Sequence, residues 1–260
     1  MTQPVLEVEA VVKRFGGLVA VDSITLEVRE REALGIVGPN GAGKTALINL
    51  VSGFYRVDGG AIRFRGQDIT NLRLHRIGRL GIARTFQNIR IFRRMTVLEN
   101  VMAANPRHTT RPLRAFFVPG AARADVDEAM ALLEFMGLAN RADQLAGGLP
   151  YGDARRLEMA RALAAAPSLL LLDEPSAGMN EAETERLIAD IHKCRERLQG
   201  IVLIEHDMTM IRRVADRVIA MDYGRKMAEG TAEQVLNDPE VRRAYLGIME
   251  DDRVAADPRG

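Results

Sequence analysis

The segment Gly38-Pro39-Asn40-Gly41-Ala42-Gly43-Lys44-Thr45 constrains the fold more than any other, because it meets the pattern G-x-x-x-x-G-K-[ST] at every position. Before it runs Glu32-Ala33-Leu34-Gly35-Ile36-Val37, apolar enough for a buried strand. After it, Ala46-Leu47-Ile48-Asn49-Leu50-Val51 reads as a helix. Glycines in such a loop let consecutive N–H groups turn toward phosphate oxygens, and the helix N-terminus adds its positive dipole end. Lys44 can reach the β- and γ-phosphates, and the Thr45 hydroxyl can ligand Mg²⁺. A glycine turn that binds nothing is the alternative, but it leaves the strand and helix on either side unexplained. The expected ligand is a nucleoside triphosphate, held from Gly38 through Ala46.

At 260 residues the chain can bury one large core, with or without an inserted domain. Its 47% apolar and 27% charged residues describe an ordinary soluble globular protein. No apolar run approaches the roughly 18 residues needed to span a bilayer; Leu169–Leu172 is cut off from Ala162–Ala166 by Pro167. The start, Met1-Thr2-Gln3-Pro4, lacks a basic region followed by an apolar one, so no signal peptide is expected. Cys194 is the single cysteine, which excludes an internal disulfide and a multi-cysteine metal site. The expected location is the cytoplasm or the cytoplasmic face of a membrane. A net charge of +1 supplies no global field for nucleic acid. Charge is nonetheless uneven: from Ile69 to Leu98 there is no acid, yet Arg73, Arg76, Arg79, Arg84, Arg90, Arg93 and Arg94 are present. That is either a solvated basic face or a docking surface for acidic groups of a partner or lipid headgroups.

Val5–Arg31 alternates apolar and polar residues, as half-buried antiparallel strands do, and Gly60–Arg65 does so again. Helical spacing recurs over Ala122–Met136 and Gly152–Ala165, and the Pro- and Arg-containing stretch Asn105–Gly120 reads as an exposed loop. Ser168–Leu172 and Ile201–Ile204 are near-continuous apolar strands, which imply a parallel sheet covered on both faces. The polar tail Glu250–Gly260 is expected to fray.

Leu169-Leu170-Leu171-Leu172-Asp173-Glu174 is an apolar strand ending in two carboxylates. A phosphate-loop ATPase needs one acid at a strand tip to hold Mg²⁺ with Thr45, which Asp173 suits, and a water-orienting group, which Glu174 suits. Two solvated acids at a strand end would be the plainer reading. Gln87, in Arg84-Thr85-Phe86-Gln87-Asn88, and His206, after Ile201–Glu205, are placed where groups facing a γ-phosphate could lie.

The order of these pieces carries a family resemblance. Gly38–Thr45, Gln87, Leu149-Pro150-Tyr151-Gly152-Asp153, Leu169–Glu174 and His206 together resemble the ATP-binding cassette of ABC transporters, over about Leu6 to Gly247. The similarity is closest to ATPase subunits of branched-chain amino acid importers. It rests on Arg14–Val21, Arg84–Asn88 with Met95–Asn100, Tyr151–Glu158, Glu205–Met208 and Ala244-Tyr245-Leu246-Gly247.

The resemblance implies an α/β fold with a mostly parallel core sheet, an N-terminal antiparallel β subdomain and an inserted helical subdomain. The nucleotide-binding core would be 1–90 with 158–260, and the helical signature subdomain 91–157. It implies that Phe15 stacks on adenine and that Gly38, Pro39, Asn40, Gly41, Ala42, Gly43, Lys44, Thr45 and Ala46 hold ATP. Thr45, Gln87 and Asp173 would be the Mg²⁺ contacts, with Glu174, His206, Gln87 and Lys44 as the catalytic set. Leu149, Pro150, Tyr151, Gly152 and Asp153 would serve the ATP site of a partner cassette, and Ala177, Gly178 and Asn180 would form a loop crossing the dimer interface. Implied partners are two integral-membrane permease subunits, a second cassette and, indirectly, a solute-binding protein, with no nucleic acid. The chain would sit peripherally on the cytoplasmic face of the cell membrane.

One position departs from the family. Pro150 stands where the commonest signature has serine, and so lacks both a hydroxyl and an N–H. Proline also suits a helix entry, with Gly152 and the helix terminus still offering donors. Other readings are a urea or short-amide importer, a lipopolysaccharide-type exporter ATPase, and a soluble cassette acting on nucleic acid or ribosomes. The last usually carries a long insert or two cassettes, which this sequence lacks. A small GTPase would need an Asn-Lys-x-Asp segment, and none occurs.

Overall fold

In the computed structural model, which describes residues 3–105 and 121–245, period-two alternation and apolar runs both become sheet. The chain runs β1 (Leu6–Phe15), β2 (Leu18–Val28), β3 (Glu32–Val37), α1 (Lys44–Val51), β4 (Gly59–Phe64) and β5 (Gln67–Asp68). Next come α2 (Leu74–Leu80), β6 (Ile82–Arg84), α3 (Val97–Ala104), α4 (Ala121–Phe135), α5 (Tyr151–Ala164), β7 (Leu169–Asp173) and α6 (Glu181–Arg195). Then follow β8 (Gly200–Ile204), α7 (Met208–Val214), β9 (Arg217–Asp222), β10 (Arg225–Gly230) and α8 (Ala232–Asn237). Residues 239–245 are helical again. Among the described residues, 3–74 with 199–245 form one compact unit and 75–105 with 121–198 a second.

The first unit holds two sheets. One is antiparallel in the order β2-β1-β4-β5, with Leu6 opposite Val28 and Phe15 opposite Leu18. Alternation puts Leu6, Val8, Ile24, Leu26 and Val28 inside. In the other sheet β3 lies between β8 and β9, parallel to both, and all six of its residues are buried. A strand paired on both edges and covered on both faces must be apolar throughout, which explains Ala33-Leu34-Gly35-Ile36-Val37. Its first residue, Glu32, is the exception and is satisfied: Arg217 donates to it at 2.7 Å and the Arg29 N–H at 2.7 Å. Glu32 in turn holds the Arg217 guanidinium above its ordinary pKa. β9 turns into β10 through Tyr223-Gly224, both left-handed (φ 43° and 77°), the two-residue turn that matches strand twist.

In the second unit β6 pairs in parallel with β7, and Leu169–Leu172 are fully buried. Helices α3, α4 and α5 pack on one another. Two helix starts in this unit are legible: Thr96 and Glu99 make a reciprocal capping box on α3, and Asn180 and Glu183 make one on α6. The helices expected over Ala122–Met136 and Gly152–Ala165 are Ala121–Phe135 and Tyr151–Ala164, and the strand expected at Gly60–Arg65 is Gly59–Phe64. The mixed antiparallel and parallel sheets with intervening helices are the α/β class expected from the sequence. The expected loop after Asn105 and the expected frayed tail lie outside the described residues. Among the described residues no helix is long and apolar enough to cross a membrane.

Candidate functional site

The glycine loop joins the end of β3 to α1 and is pressed against backbone on both sides. A Cβ on Gly38 would collide with the Met221 carbonyl, and one on Gly43 (φ 99°) with the Ala20 carbonyl. Only glycine fits either position. The Gly224 N–H donates to the Ala42 carbonyl (3.0 Å), which ties the loop to the β9–β10 turn. Lys44 begins α1 and is 5% exposed; its ammonium donates to the carbonyls of Gly38 (2.6 Å) and Pro39 (2.9 Å). Helix α1 has no side-chain N-cap and no acid in its first turn, so its N-terminal N–H groups and dipole are left for an anion. Asn40, Gly41 and Thr45 are exposed, and Ala46 is half-buried. This cradle fits a polyphosphate: donors converge, the glycines let backbone approach closely, and a buried cation lies inside.

Two more expected residues belong to this unit. Phe15 at the end of β1 is 43% exposed and meets Tyr55 edge-on at 5.1 Å, with the Lys13 ammonium 5.2 Å from its ring centre. His206 follows β8 with its side chain 59% exposed, and its Nδ1 lies 3.7 Å from the buried Glu205 carboxylate. The next residue, Asp207, caps α7 by accepting from the N–H groups of Thr209 (2.7 Å) and Met210 (3.3 Å). Sequence reasoning left Tyr245 without a role of its own. Burial pushes its phenol up to about 12, while the adjacent Gly38 N–H pulls the other way; the hydroxyl oxygen is buried without a hydrogen bond of normal geometry.

The second unit carries the remaining candidates. Asp173 ends β7 and pairs with Arg84 at the end of β6 (2.8 Å), both side chains under 10% exposed. Arg84 also lies over Phe86, 4.9 Å from the ring centre. Glu174, one residue on, takes φ 45°, an unusual conformation for a non-glycine residue and one that clusters at functional sites. Gln87 donates from Nε2 to Glu174 Oε2 at 2.8 Å, which orients the carboxylate and engages one of its oxygens. Among the described residues no cluster of three or more His, Cys, Asp or Glu could by itself hold a metal ion. Mg²⁺ needs no such cluster, because that ion takes one or two protein ligands and completes its shell with phosphate and water.

Pro150 is the N-cap of α5 and supplies no side-chain cap; its carbonyl accepts the first helical bond, from the Ala154 N–H at 2.9 Å. Leu149 is half-buried before it. Tyr151 is 42% exposed and donates its hydroxyl to the Ala177 carbonyl at 2.7 Å. A Cβ on Gly152 would press on Glu183 at 3.1 Å. Asp153 pairs with Arg141 at 3.1 Å. Gly178 takes φ 80° beside the Tyr151 hydroxyl, and Asn180 caps α6. The structure therefore brings Gln87 to Glu174, and the signature tyrosine to the Ala177-Gly178 loop. Sequence reasoning missed Arg84 as the partner of Asp173, and gave Arg155 and Glu158 no role beyond their place in the resembling segment Tyr151–Glu158. Arg155 and Glu158 pair locally at i,i+3, but the backbone groups of 86, 87 and 90 that they also hold, like the Asp173 partner of Arg84, lie far along the chain.

Comparison with known proteins shows what this chain is similar to. Residues 21–177 match the family model described as ABC transporter, and residues 225–251 match that of the branched-chain amino acid ATP-binding cassette transporter. The chain is 44% identical over 253 residues to the high-affinity branched-chain amino acid transport ATP-binding protein BraF of Pseudomonas aeruginosa, covering 95% of this chain and 99% of that one. It is 43% identical to the protein of the same description, LivG, of Escherichia coli strain K12, with the same coverage. Among solved structures, the ADP conformation of an ATP-binding cassette of an ABC transporter superposes with a TM-score of 0.83 at 31% identity, covering 95% of this chain and all of that one.

Proposed function

This chain belongs to the ABC transporter family as one of its ATP-binding, ATP-hydrolysing cassettes, and we propose that it drives an importer of branched-chain or other hydrophobic amino acids. The observation that carries this reading is similarity along nearly the whole chain to cassettes named for branched-chain transport, extended by the C-terminal match over 225–251.

Each residue then has a task. The loop from Gly38 to Ala46 binds the phosphates through backbone N–H groups and the α1 terminus, with Lys44 as the cation that meets their oxygens. Phe15 offers its exposed face to adenine. Mg²⁺, when bound, neutralises phosphate charge, and Thr45, Asp173 and Gln87 are its proposed contacts. Glu174 orients the attacking water or takes its proton, with Gln87 holding the carboxylate by its 2.8 Å bond. His206 stabilises charge that develops as the bond to the γ-phosphoryl group breaks.

Two cassettes would sandwich two nucleotides. Leu149–Asp153 in the helical segment 91–157 would complete the partner's site, and Ala177, Gly178 and Asn180 would lie at the dimer interface. Two permease subunits would receive the motion through the surface around Gln87 and the arginines from Arg73 to Arg94, and a solute-binding protein would deliver the cargo. This places the chain peripherally on the cytoplasmic face of the membrane. Mass spectrometry of what co-purifies from detergent-solubilised native membranes tests the proposal. Two polytopic permeases with a second cassette are expected; lipid-export subunits, ribosomes or DNA would overturn it.

A further inference from the structure

Arg155 is 0% exposed although it carries a permanent charge, and its surroundings account for that burial. Nη1 donates to the Phe86 carbonyl (2.7 Å) and pairs with Glu158 (2.8 Å). Nη2 donates to the Gln87 carbonyl (2.9 Å) and, at 3.4 Å, to the Tyr151 hydroxyl. Glu158 in turn accepts from the N–H groups of Phe86 (3.4 Å) and Arg90 (3.1 Å). Tyr151, Arg155 and Glu158 stand at i, i+4 and i+7, so one face of α5 grips the backbone of 86–90 at four points. The Tyr151 hydroxyl continues to the Ala177 carbonyl (2.7 Å), and the Ala177 N–H returns to the Glu174 carbonyl (3.2 Å). Gln87 closes the ring through its side chain on Glu174 (2.8 Å).

We infer that Arg155 and Tyr151 are positioning residues for ATP hydrolysis: through the closed circuit Glu174–Gln87–Arg155–Tyr151–Ala177 they make the water-orienting carboxylate, the glutamine segment, the signature helix and the Ala177-Gly178 loop move as one body. The inference rests on the cassette reading but goes beyond it, because it gives Tyr151 a task within its own chain. A displacement of 86–90 then shifts the attacking-water pair and the signature together. Both terminal nitrogens of Arg155 are partnered while its buried Nε is not, and such a buried network is rigid because breaking a bond leaves a further group desolvated and unsatisfied.

Tyr151→Phe keeps the ring at an exposed position and deletes only the hydroxyl, so folding is not at stake. Arg155→Lys keeps the charge beside Glu158 but cannot span two carbonyls and a phenol. Steady-state hydrolysis and amide hydrogen exchange are measured on the full chain, for each variant and the double variant. The expected result is an unchanged KM for MgATP, a kcat lowered about 2- to 10-fold in Tyr151→Phe and about 10-fold or more in Arg155→Lys, and a double variant no worse than Arg155→Lys. In Tyr151→Phe, exchange should quicken at 177–180 and also at 86–90, which the hydroxyl does not touch. Losses that multiply in the double variant, or faster exchange confined to 177–180, would overturn the circuit. A wild-type chain that turned over no ATP would instead count against the cassette reading, while the exchange data still judged the circuit.

Discussion

Replacing Arg84 by leucine should destabilise the second unit severely, and the size of the loss can be worked from its pairing with Asp173. The two side chains are 8% and 4% exposed with 2.8 Å between Nη2 and Oδ2, so neither charge is screened by solvent. Removing one partner of such a pair strands the other and costs about 3–5 kcal/mol. Arg84 also stacks on Phe86, 4.9 Å from the ring centre, and leucine largely restores that apolar contact, so the charge dominates the loss. A loss of that size is about a fifth or more of the total stability typical of a domain, about 5–15 kcal/mol. It corresponds to a fall in melting temperature of roughly 6–20 °C. The companion change settles the cause. If stranding of Asp173 is responsible, Arg84→Leu combined with Asp173→Leu should regain most of the loss, since replacing a whole buried pair by apolar groups is about neutral. Urea unfolding followed by far-ultraviolet circular dichroism reads both. A single variant as stable as the wild type, or a double variant no better than the single, would refute the reasoning.

Other outcomes follow from the same geometry. Glu174→Gln should bind MgATP with unaltered affinity and lower kcat by about 10²–10⁴; persistent hydrolysis would remove Glu174 from its role. Pro150→Ser adds the missing N-cap acceptor to α5, worth about 0.5–2 kcal/mol in urea unfolding, and restores a hydroxyl to the signature. If this signature serves the weaker of two unequal ATP sites, turnover of the assembled transporter rises; unchanged turnover sinks that idea. Burial pushes the Cys194 thiol up to about 12, so alkylation at mildly alkaline pH should be about a thousandfold slower in the native chain than after denaturation. Burial also raises the Asp190 carboxyl above 3.8 against the opposing pull of Arg156, so only between 3.8 and the native value does the folded chain hold a proton there that the unfolded chain has lost. The contribution of that group to stability is therefore complete below 3.8 and falls away as pH rises through the native value. Asp190→Asn should remove this slope from the pH dependence of the urea midpoint, and an unchanged slope would count against it.

The circuit around Arg155 bears on how the proposed transporter couples its parts. A basic stretch from Arg73 to Arg94 without acids suits a docking surface, and its 86–90 segment is the one gripped by α5. Force applied there would reach Glu174 through hydrogen bonds of 2.7–3.4 Å, with no need for a large rearrangement of the core. The same construction explains why a charged residue at 155 is tolerated with no exposure. Its guanidinium replaces water with two carbonyls, a carboxylate and a phenol.

What the amino-acid order determined by itself was local. Gly38–Thr45 was legible because positive φ, close backbone approach and a helix start are demands on single residues a few positions apart. The strands were legible because their side-chain period repeats within five or six residues, and the buried strand Leu169–Leu172 because apolar residues fill both of its faces. The start of α6 is equally local, since Asn180 and Glu183 spell a capping box three residues apart. Tertiary structure alone decided the pairings. Arg84 meets Asp173 across 89 positions, Gln87 meets Glu174 across 87, and Arg155 meets the Gln87 carbonyl across 68. Nothing in the neighbourhood of one residue specifies a partner so far along the chain. Such bonds exist only after β6 and β7 have aligned and α5 has packed; burial then obliges Arg84, Asp173 and Arg155 to find protein partners, while the exposed Gln87 meets Glu174 because packing brings the two together.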